Sequence, residues 1–181
     1  MSSLTAQIYS YTPLQSRVVE LHDQYRTALM NAKYYASRVV WLKRSNTICD
    51  VVVAISASAS FAGLAVWKMG IGNLTFSVLL GIAALVSALR PILRIADKLD
   101  RYSKLHYGYL EIYYRIEALV SEMRTSGHVT TEQIAKATEL SERFRALELE
   151  GDAYQQTKKL LRYQDKIELS IPAERLWLPS E

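Results

Sequence analysis

Residues 48–67 read ICDVVVAISASASFAGLAVW, twenty residues in which Asp50 is the only charge. As a helix rising about 1.5 Å per residue, this run is about 30 Å long, the thickness of a bilayer hydrocarbon core. Residues 74–89, LTFSVLLGIAALVSAL, follow with no charge at all. Sixteen residues are short for a span, and Ile71 on one side or a snorkelling Arg90 on the other brings the run to bilayer width. Between them lies KMGIGN, residues 68–73, whose two glycines and asparagine are turn formers. The pattern predicts two transmembrane helices in a tight hairpin.

The flanks carry the orientation. Lys33, Arg38, Lys43 and Arg44 precede the first run, and Arg90, Arg94, Lys98, Arg101 and Lys104 follow the second, whereas the loop has only Lys68. That asymmetry predicts both termini on the cytoplasmic side. Trp41, Trp67 and Tyr102 fall near the expected interfaces, where amphipathic rings are favoured. A buried helical hairpin of a soluble bundle is the competing reading, because Ala and Ser dilute both runs. Residues 1–11 hold no basic group and the first apolar run begins late for a cleavable leader, so the apolar centre is expected to persist.

Small residues share faces in both runs: Ser56, Ser60 and Gly63 in the first, Ser77, Gly81, Ala84 and Ala88 in the second. Such spacing lets helix backbones approach closely in lipid. It equally lets Ser56 and Ser60 line a water-filled conduit, which two spans can enclose only as an oligomer. Asp50 lies within a turn of the cytoplasmic end. It either shapes cation preference at a pore mouth or pairs with Lys43, Arg44 or Arg90 as an interfacial anchor.

Outside the centre the chain reads as amphipathic helix. Thr12-Pro13-Leu14-Gln15 combines a threonine cap, proline at the first helical position and a glutamine placed for a capping box. Leu14, Val18, Leu21, Tyr25, Ala28, Ala32, Tyr35, Val39 and Leu42 then alternate spacings of four and three, a seam for another helix. After Pro91, a candidate kink, Leu99, Tyr102, His106, Tyr109, Tyr113, Ile116, Val120 and Met123 repeat the seam up to Gly127, a helix terminator. Thr130 to Gln133 form a second capping box. It opens a helix with Ile134, Ala137, Phe144, Leu147 and Tyr154 on one side and a bend at Gly151. The tail from Ile171 to Pro179 is expected to be irregular and either to dock through Trp177 or to mediate contact between copies.

Chemistry is sparse. The net charge of +4 over 181 residues is too small to imply nucleic-acid binding by bulk charge, and one cysteine, Cys49, excludes an intrachain disulfide. No HExxH motif, Walker loop or complete dinucleotide fingerprint is present, and His22, His106 and His128 lack metal-ligand spacing. No enzyme, no metal and no cofactor are expected. One segment interleaves cations with aromatics: Lys98, Arg101 and Lys104 with Tyr102, His106, Tyr107, Tyr109, Tyr113, Tyr114 and Arg115, the charge diluted by Asp97, Asp100 and Glu111. Phosphates on Arg94, Lys98, Arg101 or Lys104 with a base stacked on Tyr102 or Tyr109 is one reading. Tyrosines packing the seam while cations face anionic headgroups is the other. Lys158, Lys159 and Arg162 pose the same choice.

The order of parts carries a resemblance. The segment Leu21-His22-Asp23-Gln24-Tyr25-Arg26-Thr27-Ala28 leads into a basic stretch and a hairpin rich in small residues. A long helix follows with Leu105-His106-Tyr107-Gly108-Tyr109-Leu110 and Ile116-Glu117-Ala118-Leu119. Over residues 18–163 this resembles the SLATT family, two-transmembrane effectors of bacterial conflict systems. The resemblance implies an oligomeric pore in the inner membrane that depolarises an infected cell, acting in antiphage defence. It also implies a nucleotide or oligonucleotide signal from a partner nucleotidyltransferase.

The expectation is therefore an all-α protein: an integral membrane helical hairpin (47–93), an N-terminal cytoplasmic amphipathic helix (1–46), and C-terminal cytoplasmic helices and tail (94–181). The arms pack as a bundle, the partners are the lipid bilayer and further copies of the chain, and Asp50, Ser56, Ser60 and Gly63 are the pore-lining candidates. The alternative is a non-conducting membrane scaffold whose coiled arms recruit a partner protein.

Overall fold

The computed structural model describes residues 12–66, 78, 81–82, 84–88, 94–152, 157–172 and 177–179, with side chains up to Ile55 in the first stretch and from Lys158 in the stretch that opens at Thr157. The described chain is helical, with α1 at Pro13–Val66, α2 at Ile95–Ser126, α3 at Thr131–Glu150 and α4 at Thr157–Ser170. Residues 78, 81–82 and 84–88 are helical as well. Among the described residues there is no strand, and no helix is long and apolar enough to cross a membrane. The turn at 68–73, Trp67, Ser77, Arg90, Pro91 and Tyr154 lie outside the described residues, as do the surroundings of Ser56, Ser60 and Gly63.

Helix boundaries follow local chemistry. At the start of α1 the Thr12 backbone N–H donates to Gln15 Oε1 at 3.2 Å and the Gln15 N–H donates to Thr12 Oγ1 at 3.3 Å. This reciprocal box satisfies two donors that the first turn leaves without partners. Thr130 and Gln133 do the same for α3. No proline or glycine lies between Leu14 and Gly63, and α1 is unbroken. α2 stops at Ser126 because Gly127 takes φ +71°, the left-handed conformation that glycine adopts without a Cβ clash. Gly151 ends α3 rather than bending it: φ is −61° with extended ψ, and its N–H donates to the Glu148 carbonyl at 3.2 Å. A separate α4 therefore replaces the single bent helix expected there.

The chain forms two compact units, one built from the residues up to Tyr34 and from Leu105 onward, the other from Tyr35–Lys104. In the first, α1 and α2 run antiparallel, with Tyr25 against Tyr113 and Ala32 against His106. Val18, Leu21, Ala28 and Ala32 of α1 face Leu105, Tyr109, Ile112, Ile116, Leu119 and Met123 of α2, all buried. The expected α2 seam is half right. Tyr109, Ile116 and Met123 are core, but His106, Tyr113 and Val120 give way to Leu105, Ile112 and Leu119. His106 and Tyr113 sit at the seam's edge with their polar tips partnered, His106 Nδ1 2.9 Å from the Ala32 carbonyl and the Tyr113 hydroxyl accepting from Tyr25, while Val120 is half-buried.

α3 covers one side of this pair. Leu140 and Phe144 are buried, Phe144 meets Tyr109 edge-on at 5.9 Å, and Ser141 donates to Gln24 Oε1 at 2.8 Å. Gly108 allows the close approach, since a Cβ there would stand 2.9 Å from both Leu147 methyl carbons. α4 buries Ile167 and reaches α1 through Glu168, 3.8 Å from Arg26. The tail returns to the start of α1, where Gln15 Nε2 donates to the Pro179 carbonyl at 3.4 Å.

In the second unit Tyr35, Leu42, Ile95 and Tyr102 are buried. The Tyr35 and Tyr102 rings lie 5.8 Å apart, and the Arg38 guanidinium sits 5.7 Å from the Tyr102 centroid, within cation–π range. Arg94 immediately precedes α2 at φ +44°, a left-handed conformation that costs an L-residue about 1–2 kcal/mol. Outward-facing apolar side chains are concentrated in this unit. Val40, Trp41, Ile48, Val51 and Ile55 of α1 are exposed, as are Val78, Ile82 and Leu85.

Candidate functional site

The expected ligand residues separate into two groups. Arg94, Lys98, Arg101 and Lys104 are all exposed, and Lys104 Nζ pairs with Asp100 at 2.8 Å. Tyr102 and Tyr109 are buried, 9% and 1% exposed. Stacking a base needs an open ring face, and these faces are taken by Tyr35 and Arg38 in one case and Phe144 in the other. Neither tyrosine is a stacking platform; the sequence shows that they lie on a seam, not that the seam leaves no free face. Of the pore-lining candidates, Asp50 is exposed and accepts from Asn46 Nδ2 at 3.0 Å, an i, i+4 contact along α1. Ser56, Ser60 and Gly63 lie on the helical backbone of α1, their surroundings outside the described residues.

A larger feature lies in the first unit. A groove of about 1230 Å³ runs along the α1/α2 pair. From α1 come Val18, His22, Tyr25, Leu29 and Lys33, successive positions on one helical face over four turns. From α2 come Leu110, Tyr113, Tyr114, Glu117, Val120 and Arg124, again one face over four turns. Ser170, Ile171 and Trp177 close one flank. The sequence places Trp177 in the tail and Tyr113 on a seam, but the trough itself brings together residues distant in sequence.

Its centre is aromatic. Tyr25 Oη donates to Tyr113 Oη at 3.0 Å, and the two rings stack at 4.6 Å with planes 16° apart. Burial first, then the Tyr113 hydroxyl and Glu117, push the Tyr25 phenol well above its ordinary range, so it stays a neutral donor. His22 is pushed the other way: burial, then the Arg26 guanidinium, lower its imidazole below the usual value, with Asp23 opposing. Tyr114 turns an exposed ring into the opening and meets Tyr113 edge-on at 5.1 Å.

Charge in this unit is only partly balanced internally, and Lys158, Lys159, Arg162 and Lys166 of α4 have no ion pair among the described residues. Arg17, Arg26, Arg115, Lys136, Arg143 and Arg145 each lie within 3.8 Å of a carboxylate. Lys33 and Arg124 have no such partner among the described residues, and both line the groove. Among the described residues no group of His, Cys, Asp and Glu is placed to hold a metal ion.

No family model, curated protein or solved structure matches the chain.

Proposed function

We propose that the protein is an oligomeric, pore-forming effector of the bacterial inner membrane, with a hairpin spanning the bilayer and both termini in the cytoplasm. The observation that supports this reading is the exposure of Ile48 (63%), Val51, Ile55, Val78, Ile82 and Leu85. Each belongs to one of the two apolar runs, and a monomer in water gains nothing from holding six large apolar side chains outward. Lipid, or neighbouring copies within lipid, removes that cost. The first run continues past Ile55, the last α1 residue whose side chain is described, through Trp67 with no further charge.

In this reading Ser56, Ser60 and Gly63 face the conduit and Asp50 stands at its cytoplasmic mouth. Opening depolarises the cell, the action expected of an antiphage effector. A nucleotide signal from a partner nucleotidyltransferase is bound through phosphate contacts to the exposed Arg94, Lys98, Arg101 and Lys104, without stacking on Tyr102 or Tyr109. Reporter fusions test the topology: those after Arg44 and after Arg124 should read as cytoplasmic, and one within residues 70–73 as periplasmic. Recovery of the untagged protein in the soluble fraction without detergent would end the proposal.

A further inference from the structure

We infer that the α1/α2 groove is a docking site for one amphipathic helix of a partner protein, a helix with an apolar face and an acidic residue at each end. The shape carries the first half of the inference. Two antiparallel helices present continuous side-chain stripes over four turns, which is how a groove receives the ridge of another helix. The volume, about 1230 Å³, exceeds the roughly 300–1,000 Å³ typical of small-molecule pockets.

Charge carries the second half. With Tyr25 beside Tyr113, Lys33 lies eight residues along α1 and Arg124 eleven along α2 in the opposite direction. At about 1.5 Å per residue the two cations are roughly 28 Å apart along the groove. No small anion reaches both, whereas a helix of about nineteen residues does. Single-stranded nucleic acid fits poorly, because phosphates repeat along the whole strand and need a continuous basic track. Here Glu117 lies between the two cations and Val18, Leu29, Leu110 and Val120 make an apolar floor. The exposed Tyr114 (57%) and Arg124 and the half-buried Trp177 are the residue types that anchor protein interfaces.

The test selects helices from a displayed library of nineteen-residue amphipathic peptides, randomised at every position, against the full-length protein in phosphatidylcholine nanodiscs. The expected winners carry Asp or Glu near both ends and lose at least about tenfold in affinity on Lys33→Glu or Arg124→Glu, a loss of about 1.4 kcal/mol. Both residues are exposed, so the variants should keep wild-type helicity and melting temperature; Lys33→Gln and Arg124→Gln should fall between. A selection with no winners overturns the inference. So do winners without terminal acids, winners bound equally by the reversed-charge variants, or winners displaced by single-stranded oligonucleotides that themselves bind the groove. The membrane reading is unaffected by any of these results.

Discussion

The Tyr25 hydroxyl donates to the Tyr113 hydroxyl at 3.0 Å while the two rings stack at 4.6 Å, so one residue pair joins α1 to α2 by both a polar and an apolar contact. The contacts separate by substitution. Tyr25→Phe removes the hydrogen bond and keeps the stack, and should cost about 1 kcal/mol in denaturant unfolding. Tyr113→Ala removes both and should cost more, about 2–3 kcal/mol for a half-buried ring.

The same pair predicts a response to alkali. Tyr25 is raised in the folded protein above its ordinary value of 10.0, so the unfolded chain gives up this proton first as pH rises. Stability from this group is complete below pH 10 and is lost above it. Melting temperature should fall more steeply above that pH in the wild type than in Tyr25→Phe.

His22 acts at the acid side. Its folded-state value is lowered from 6.5 by burial and by Arg26, so below that pH the unfolded chain binds the proton more readily. Stability therefore rises with pH through this window and falls on acidification. Unfolding free energy measured from pH 7.5 to 5.5 should decline in the wild type and decline less in His22→Gln. An equal decline in both would assign the effect to other groups.

Gly108 tests the packing of α3 on α2. Alanine there gains about 1 kcal/mol of helix propensity but meets the Leu147 methyl carbons at 2.9 Å. Those carbons end a flexible side chain, so Gly108→Ala should be near neutral. Gly108→Val cannot be relieved so easily and should destabilise by about 2–3 kcal/mol. Leu147→Ala should recover part of that loss, which a double-mutant cycle measures as coupling.

These particulars show what the sequence makes legible. Both capping boxes and the stop at Gly127 are local patterns, and each forms where its residues predict. Of the α1 seam Val18, Leu21, Ala28, Ala32, Tyr35 and Leu42 are buried, while Leu14, Tyr25 and Val39 are half-buried. The α2 seam is only half legible because period alone does not distinguish Leu105 from His106; polar tips at the edge of a wide buried face decide it. Tyr102 and Tyr109 were placed on the seam, yet the loss of their free faces depends on Arg38, Tyr35 and Phe144, distant in sequence. The groove is not legible in the sequence, since its lining comes from three separated segments, α1, α2 and the end of α4 with Trp177. His22 and Tyr114 fall in segments that the sequence singles out, but no motif there assigns the two to one groove.

The four exposed cations give a prediction for nucleotide binding. Arg101→Glu with Lys104→Glu should weaken binding of short oligonucleotides or cyclic nucleotides by at least about tenfold in calorimetry, about 1.4 kcal/mol. The Lys104–Asp100 pair is exposed and worth at most about 1 kcal/mol, so the fold should survive its loss. Absence of heat with every nucleotide tried would remove nucleotide gating and leave a protein partner as the input.

The central claim is that copies of this chain make a conducting path through a membrane, and single-channel recording of the purified protein in planar bilayers tests it most directly. The wild type should give discrete current steps. Ser60→Leu should abolish them while membrane insertion and oligomer size stay unchanged, because a leucine on the Ser56/Ser60/Gly63 face blocks a conduit it lines. A quiet bilayer with correctly inserted wild-type oligomer, or steps that persist unchanged in Ser60→Leu, would contradict the account.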